Sequence, residues 1–150
     1  MQFVDTNIFI RYLTKDDPEK AAACYRLFER AKLNEVELTT SEAVIAEIVF
    51  ILSSQRLYNL SRQDVRMRLY PLISLPGLKL ANRRQYLRAL ELYSNNPIDF
   101  EDALSVATME RQKISELYSY DKDFDRIKDS EITRLEPLHT RCPRTICAFG

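Results

Sequence analysis

Glycine occurs only twice and tryptophan not at all in the 150 residues. Such a small supply of turn formers argues against a barrel or sandwich of many short strands. Histidine occurs once, as His139, which disfavours both histidine-ligated zinc and histidine-based acid–base catalysis. The three cysteines, Cys24, Cys142 and Cys147, are an odd number and suggest no disulfide framework. No apolar run approaches the ~20 residues that span a bilayer, and the N-terminus lacks a basic-then-apolar leader pattern. The expected location is therefore the cytoplasm. Lys plus Arg and Asp plus Glu balance at 22 each, so the basic excess that advertises many nucleic-acid binders is missing. What remains is 45% hydrophobic and 29% charged, the composition of one ordinary globular domain long enough to enclose a core.

Periodicity and capping signals alternate along the chain. "QFVD" reads as a short strand ending at Asp5, and "TNIFIRYLT" as a short helix. Asp17 and Pro18 start a second helix over "DDPEKAAACYRLFERAK". "VELTT" is a second strand, after which Ser41 caps "SEAVIAEIVFIL". Ser61 with Asp64 resembles a capping box for a helix ending near Pro71, and Asn82 is placed to cap "RRQYLRALELYS". "LKLA" fits strand or loop. Asn95-Asn96-Pro97 breaks the pattern, and Asp99 with Asp102 opens a helix through about Gln112. "SELYS", a turn with a short helix over "YDKDFDRI", and "EITRL" complete the domain. Strands alternating with helices predict an α/β fold with a short, mainly parallel central sheet and many helices. The domain is expected to cover residues 1–137. The segment 138–150 shifts in composition and is expected to be a tail outside the fold.

Glu47 is the residue least at home in its surroundings. From Ala43 to Leu52 every other side chain is apolar, so the helix reads as buried all round. A carboxylate inside it needs a cation, a hydrogen-bond partner or a proton. Three more acidic residues fall where ligands gather in parallel α/β sheets, at or near the carboxyl ends of strands. Asp5 follows the first strand, Asp121 follows "SELYS", and Asp102 sits in the first turn of a helix. Four carboxylates converging on one cleft would repel one another without a hard cation such as Mg²⁺ or Mn²⁺. Carboxylates with such a cation suit phosphoryl transfer or phosphodiester hydrolysis.

Each residue also has an ordinary explanation. Asp5 fits a helix cap, Asp99 and Asp102 fit capping and dipole interactions, and Glu47 fits a buried ion pair. Asp121, Asp123 and Asp125 fit a solvated acidic turn. They are not an EF-hand loop, because Arg126 and Ile132 stand where a glycine and a bidentate glutamate are needed.

Four motifs in order resemble the PIN domain family, in particular VapC-like toxin ribonucleases of type II toxin–antitoxin pairs. They are "FVDTNIFIRYL", "SEAVIAEIVFIL", "IDFEDALSVATME" and "LYSYDKDFDRI". The resemblance covers the chain to about Pro137 and implies a three-layer α/β/α domain. It also implies a metal-dependent endoribonuclease whose Mg²⁺ or Mn²⁺ is held by Asp5, Glu47, Asp102 and Asp121. Asn7 and Ser119 would orient those ligands, with Asp99, Asp123 and Asp125 as supporting or outer contacts. An RNA substrate, a cognate antitoxin and a homodimer formed through the early helices follow from the same resemblance.

Without a net positive charge, RNA affinity would need local cations. Arg11 lies nearest the expected cleft. "RQDVRMR" (Arg62, Arg66, Arg68) and "NRRQYLR" (Arg83, Arg84, Arg88) are further candidates, each also readable as a solvated helix face. Two other functions remain open. One is a PIN-like module that binds RNA or protein without cleaving. The other is an aspartate-based phosphatase, although Asn7 stands where such enzymes commonly place a second aspartate.

Overall fold

A computed structural model describes residues 1–137 of the chain; the expected tail, 138–150, lies outside the described residues. Local chemistry sets the helix starts. After β1 (Gln2–Phe3), α1 runs from Thr6 to Thr14 and ends on Lys15 in the left-handed conformation, φ 55°. Asp17 accepts from the Lys20 amide and Pro18 occupies the first turn of α2 (Pro18–Lys32). After β2 (Leu38–Thr39), Ser41 accepts from the Val44 amide to start α3 (Glu42–Ser53). Ser61 accepts from the Asp64 amide and donates to its carboxylate, opening α4 (Arg62–Ile73). The remaining elements are α5 (Arg83–Asn95), α6 (Phe100–Gln112), β3 (Glu116–Tyr118), a 3₁₀ turn (Lys122–Arg126) and β4 (Thr133–Leu135). Among the described residues no helix is long and apolar enough to cross a membrane.

All strand pairing is parallel, as the alternation of elements predicts. Among the described residues it forms two separate pairs rather than one continuous ladder: β1 with β2, and β3 with β4. "LKLA" contributes a single bridge, Leu78 to Leu38, along the first pair. Gly77 allows this approach. A Cβ there would stand 2.5 Å from the carbonyl oxygens of Ala31 and Val36, so only glycine fits beside that backbone.

One helix boundary differs from expectation, and one expected cap is not made. Helix α4 continues past Pro71 to Ile73, because Leu72 and Ile73 are buried and only one backbone donor is lost. Asn82 precedes α5 without making a side-chain cap. The core is one cluster in which Phe9, Phe28, Ile45, Ile48, Leu69 and Leu90 are almost wholly enclosed.

Helix α3 is not buried all round. Val44, Ile45, Ile48, Val49 and Leu52 face the core, whereas Ala43, Glu47 and Phe50 are exposed, Phe50 at 67%. Hydrophobic periodicity misses this because the outward stripe is itself apolar apart from the glutamate. The desolvation cost expected for Glu47 is therefore not incurred, and among the described residues it has no cationic partner.

Candidate active site

Asp5 occupies the cap position of α1, in extended conformation, at the carboxyl end of the first parallel pair. Its side chain makes no capping bond, so the ordinary reading of this aspartate does not hold and its carboxylate is left exposed to a cleft. That cleft, of about 410 Å³, is lined by Asp5, Thr6, Asn7, Arg11, Glu47 and Tyr58, with Ile10 and Ile51. Thr6 is buried and donates its hydroxyl to Glu47 Oε2 at 2.5 Å. One glutamate oxygen is thereby fixed across from α1. Thr6 was not singled out by sequence reasoning; its signal was its place inside Asp5-Thr6-Asn7.

Arg11 brings a cation to the same cleft. It donates to Asp16 at 2.6 Å, and Tyr58 donates to the same carboxylate oxygen at 2.8 Å. The Arg11 hydrogen bond first, and then that of Tyr58, hold the Asp16 carboxyl below its ordinary range.

The second set of carboxylates surrounds α6. Asp99 caps the helix, accepting from the Asp102 amide at 2.8 Å. Asp102 is half-buried, and its carboxyl is pushed up to about 6 by burial and then by the charges of Asp99, Asp121, Asp123 and Glu101. Asp121 is exposed and caps the 3₁₀ turn through the Asp123 amide at 2.9 Å. Ser119 Oγ in turn accepts from the Asp121 amide at 3.0 Å. Asp123 pairs with Arg126, and Asp125 is bound by Arg134. Asp125 thus anchors the turn. Glu101 belongs to the repulsive set, although its position just before the Asp102 motif gave no special signal.

The expected four carboxylates therefore form two groups, Asp5 with Glu47 and Asp102 with Asp121. Helix α3 packs against α6, and a shallow groove between them is lined by Ala43 and Ala46 on one side and Glu101, Leu104 and Ser105 on the other. Glu47 follows Ala46 on α3, and Asp102 follows Glu101 on α6. Among the described residues, no three acidic, histidine or cysteine side chains stand close enough together to hold a metal ion. The donors nevertheless suit a hard divalent cation. They are all oxygen, and the raised Asp102 carboxyl reflects its burial and the charges of four neighbouring carboxylates, of which Asp123 is paired with Arg126.

Most candidate RNA-binding cations are committed to backbone carbonyls. Arg62 lies over the Tyr93 ring at 4.5 Å and donates to the carbonyls of Tyr93, Asn96 and Ile98, so it fits neither RNA binding nor a solvated helix face. Arg83 donates to Leu75 and Leu78, and Arg68 to Leu13. Arg88 is paired with Glu110 and Glu91. Arg84 is exposed.

The family model described as PIN domain matches residues 3–130. No curated protein matches the chain in sequence.

Proposed function

The chain belongs to the PIN domain family, whose members are generally nuclease modules, and on that premise we propose that it is a metal-dependent endoribonuclease. The carrying observation is that Asp5, freed from capping, shares a cleft with Glu47, while Asp102 sits half-buried among four other carboxylates. Asp5, Glu47, Asp102 and Asp121 would hold Mg²⁺ or Mn²⁺. Such a cation, when bound, supplies a water of lowered pKa and offsets charge on the scissile phosphate. The protein's own groups prepare the site. Thr6 fixes one oxygen of Glu47; Asp99 and Ser119 set the backbone from which Asp102 and Asp121 project. Arg11, held by Asp16, offers a cation to the RNA backbone, and exposed Arg84 a weaker one. Hydrolysis would leave a 5′-phosphate and a 3′-hydroxyl.

The same reading makes the protein the toxin of a toxin–antitoxin pair working in the cytoplasm, with an antitoxin placing a basic side chain among the carboxylates. It also favours a homodimer. Tyr12 and Tyr25, with ring centroids 6.2 Å apart, line a mainly apolar hollow between α1 and α2 together with Pro18, Ala21 and Ala22.

The separation of the carboxylates into two groups favours one second reading, a PIN-like module that binds RNA without cleaving it. Cleavage of assorted RNAs with Mn²⁺, with Mg²⁺ and with chelator decides between them. Cleavage should require the metal and disappear in folded Asp5→Asn. Full cleavage by well-folded Asp5→Asn and Asp102→Asn proteins would sink the nuclease assignment.

A further inference from the structure

Beside the acidic turn, two aromatic side chains stand away from the core. Tyr118 ends β3 and is 69% exposed; Tyr120, two residues on, is 61% exposed. From Glu116 to Tyr120 exposure alternates with partial burial, the period of an extended strand. Leu117 packs against the core. Ser119 is held by its carbonyl, which accepts from Arg134 at 2.8 Å, and by its hydroxyl, which accepts from the Asp121 amide. Tyr118 closes the strand and Tyr120 lies at the bend that follows it, so both rings stand in solvent on either side of the held Ser119.

Stacking of a base on an aromatic ring needs an open ring face, and both tyrosines offer one. Two bases of an unstacked strand can each lie on one ring. Tyr120 directly precedes Asp121, and the exposed Lys122 follows it, so a strand bound here leads straight to the carboxylates.

We infer that Tyr118 and Tyr120 form a base-stacking platform that restricts the substrate to single-stranded nucleic acid with unstacked bases. The inference rests on the nuclease reading above. A duplex presents no free base faces to such a platform, whereas every unpaired base does, so the platform selects strandedness rather than sequence. The rings would act in binding and take no part in proton transfer.

The test is binding of a short fluorescein-labelled oligoadenylate in Mg²⁺, with Asp5→Asn as the parent protein to prevent cleavage. Tyr118→Ala and Tyr120→Ala should each weaken binding by roughly tenfold, while Tyr120→Phe keeps it, since stacking needs the ring and not the hydroxyl. The dependence of affinity on salt should not change, because no phosphate contact is lost. An oligomer of abasic sugars should bind parent and variants alike. Circular dichroism checks that the exposed-site variants remain folded. Oligoadenylate binding that is unchanged in both alanine variants overturns the platform and spares the nuclease reading. Absence of binding by every protein, wild type included, overturns both. Altered oligomeric state with unaltered oligoadenylate binding would assign the tyrosines to a contact between copies and also overturn the platform.

Discussion

Asparagine at position 102 is expected to stabilise the metal-free protein at neutral pH. The Asp102 carboxyl is raised from its ordinary 3.8 to about 6, first by burial and then by Asp99, Asp121, Asp123 and Glu101. Between these two values the native state retains a proton that the unfolded chain has released, so stability falls as pH rises through that window. Above about pH 6 the whole cost is present. At ~1.4 kcal/mol for each tenfold in a protonation equilibrium, the ceiling is about 3 kcal/mol. Asp102 is only half-buried, and water screens its neighbours, so about 1 kcal/mol is expected. For a domain of this size that corresponds to roughly 2–5 °C in Tm. The assay is thermal unfolding of wild type and Asp102→Asn in chelator, at about pH 4 and about pH 7.5. Wild type should lose stability relative to the variant between the two, and added Mg²⁺ should restore wild type more than the variant. Equal stability at neutral pH in chelator, or a variant that is less stable, would refute the electrostatic reasoning.

Thr6→Val removes the donor that fixes Glu47 Oε2. Mn²⁺ affinity measured by calorimetry should fall roughly 10- to 100-fold, with the fold intact by circular dichroism. Gly77→Ala would force a methyl group to within 2.5 Å of two backbone oxygens. It should lower stability by about 2–3 kcal/mol, seen as a reduced urea midpoint with an unchanged slope.

How much of this was legible in the sequence differs by feature. Helix starts were readable wherever a side chain makes the cap, as at Asp17, Ser41, Ser61 and Asp99. Asn82 misled because capping is only a tendency, and Pro71 because burial of the next two residues outweighed the lost backbone bond. Strand ends and motif order pointed to the four carboxylates as one convergent set, whereas their division into Asp5 with Glu47 and Asp102 with Asp121 depends on how the helices pack and was not legible. The exposure of Glu47 was equally hidden, since an apolar residue facing an open cleft looks the same in a sequence as one facing the core. Nor can sequence show that Arg62 and Arg83 are tied to distant carbonyls, because those partners are decided by tertiary packing.

Strand β4 gives the C-terminal end of the domain an unexpected importance. Its Arg134, with a side chain only 12% exposed, joins Asp125, Glu136 and the Ser119 carbonyl, and among the described residues β4 is the sole partner of β3. Yet the family match stops at residue 130, before β4 begins. The segment that carries the family signature is thus shorter than the segment that holds Asp121 in place. A chain cut at the end of the match would keep every acidic side chain of the candidate site while releasing the turn that presents one of them. Such a fragment would separate possession of the ligands from their alignment.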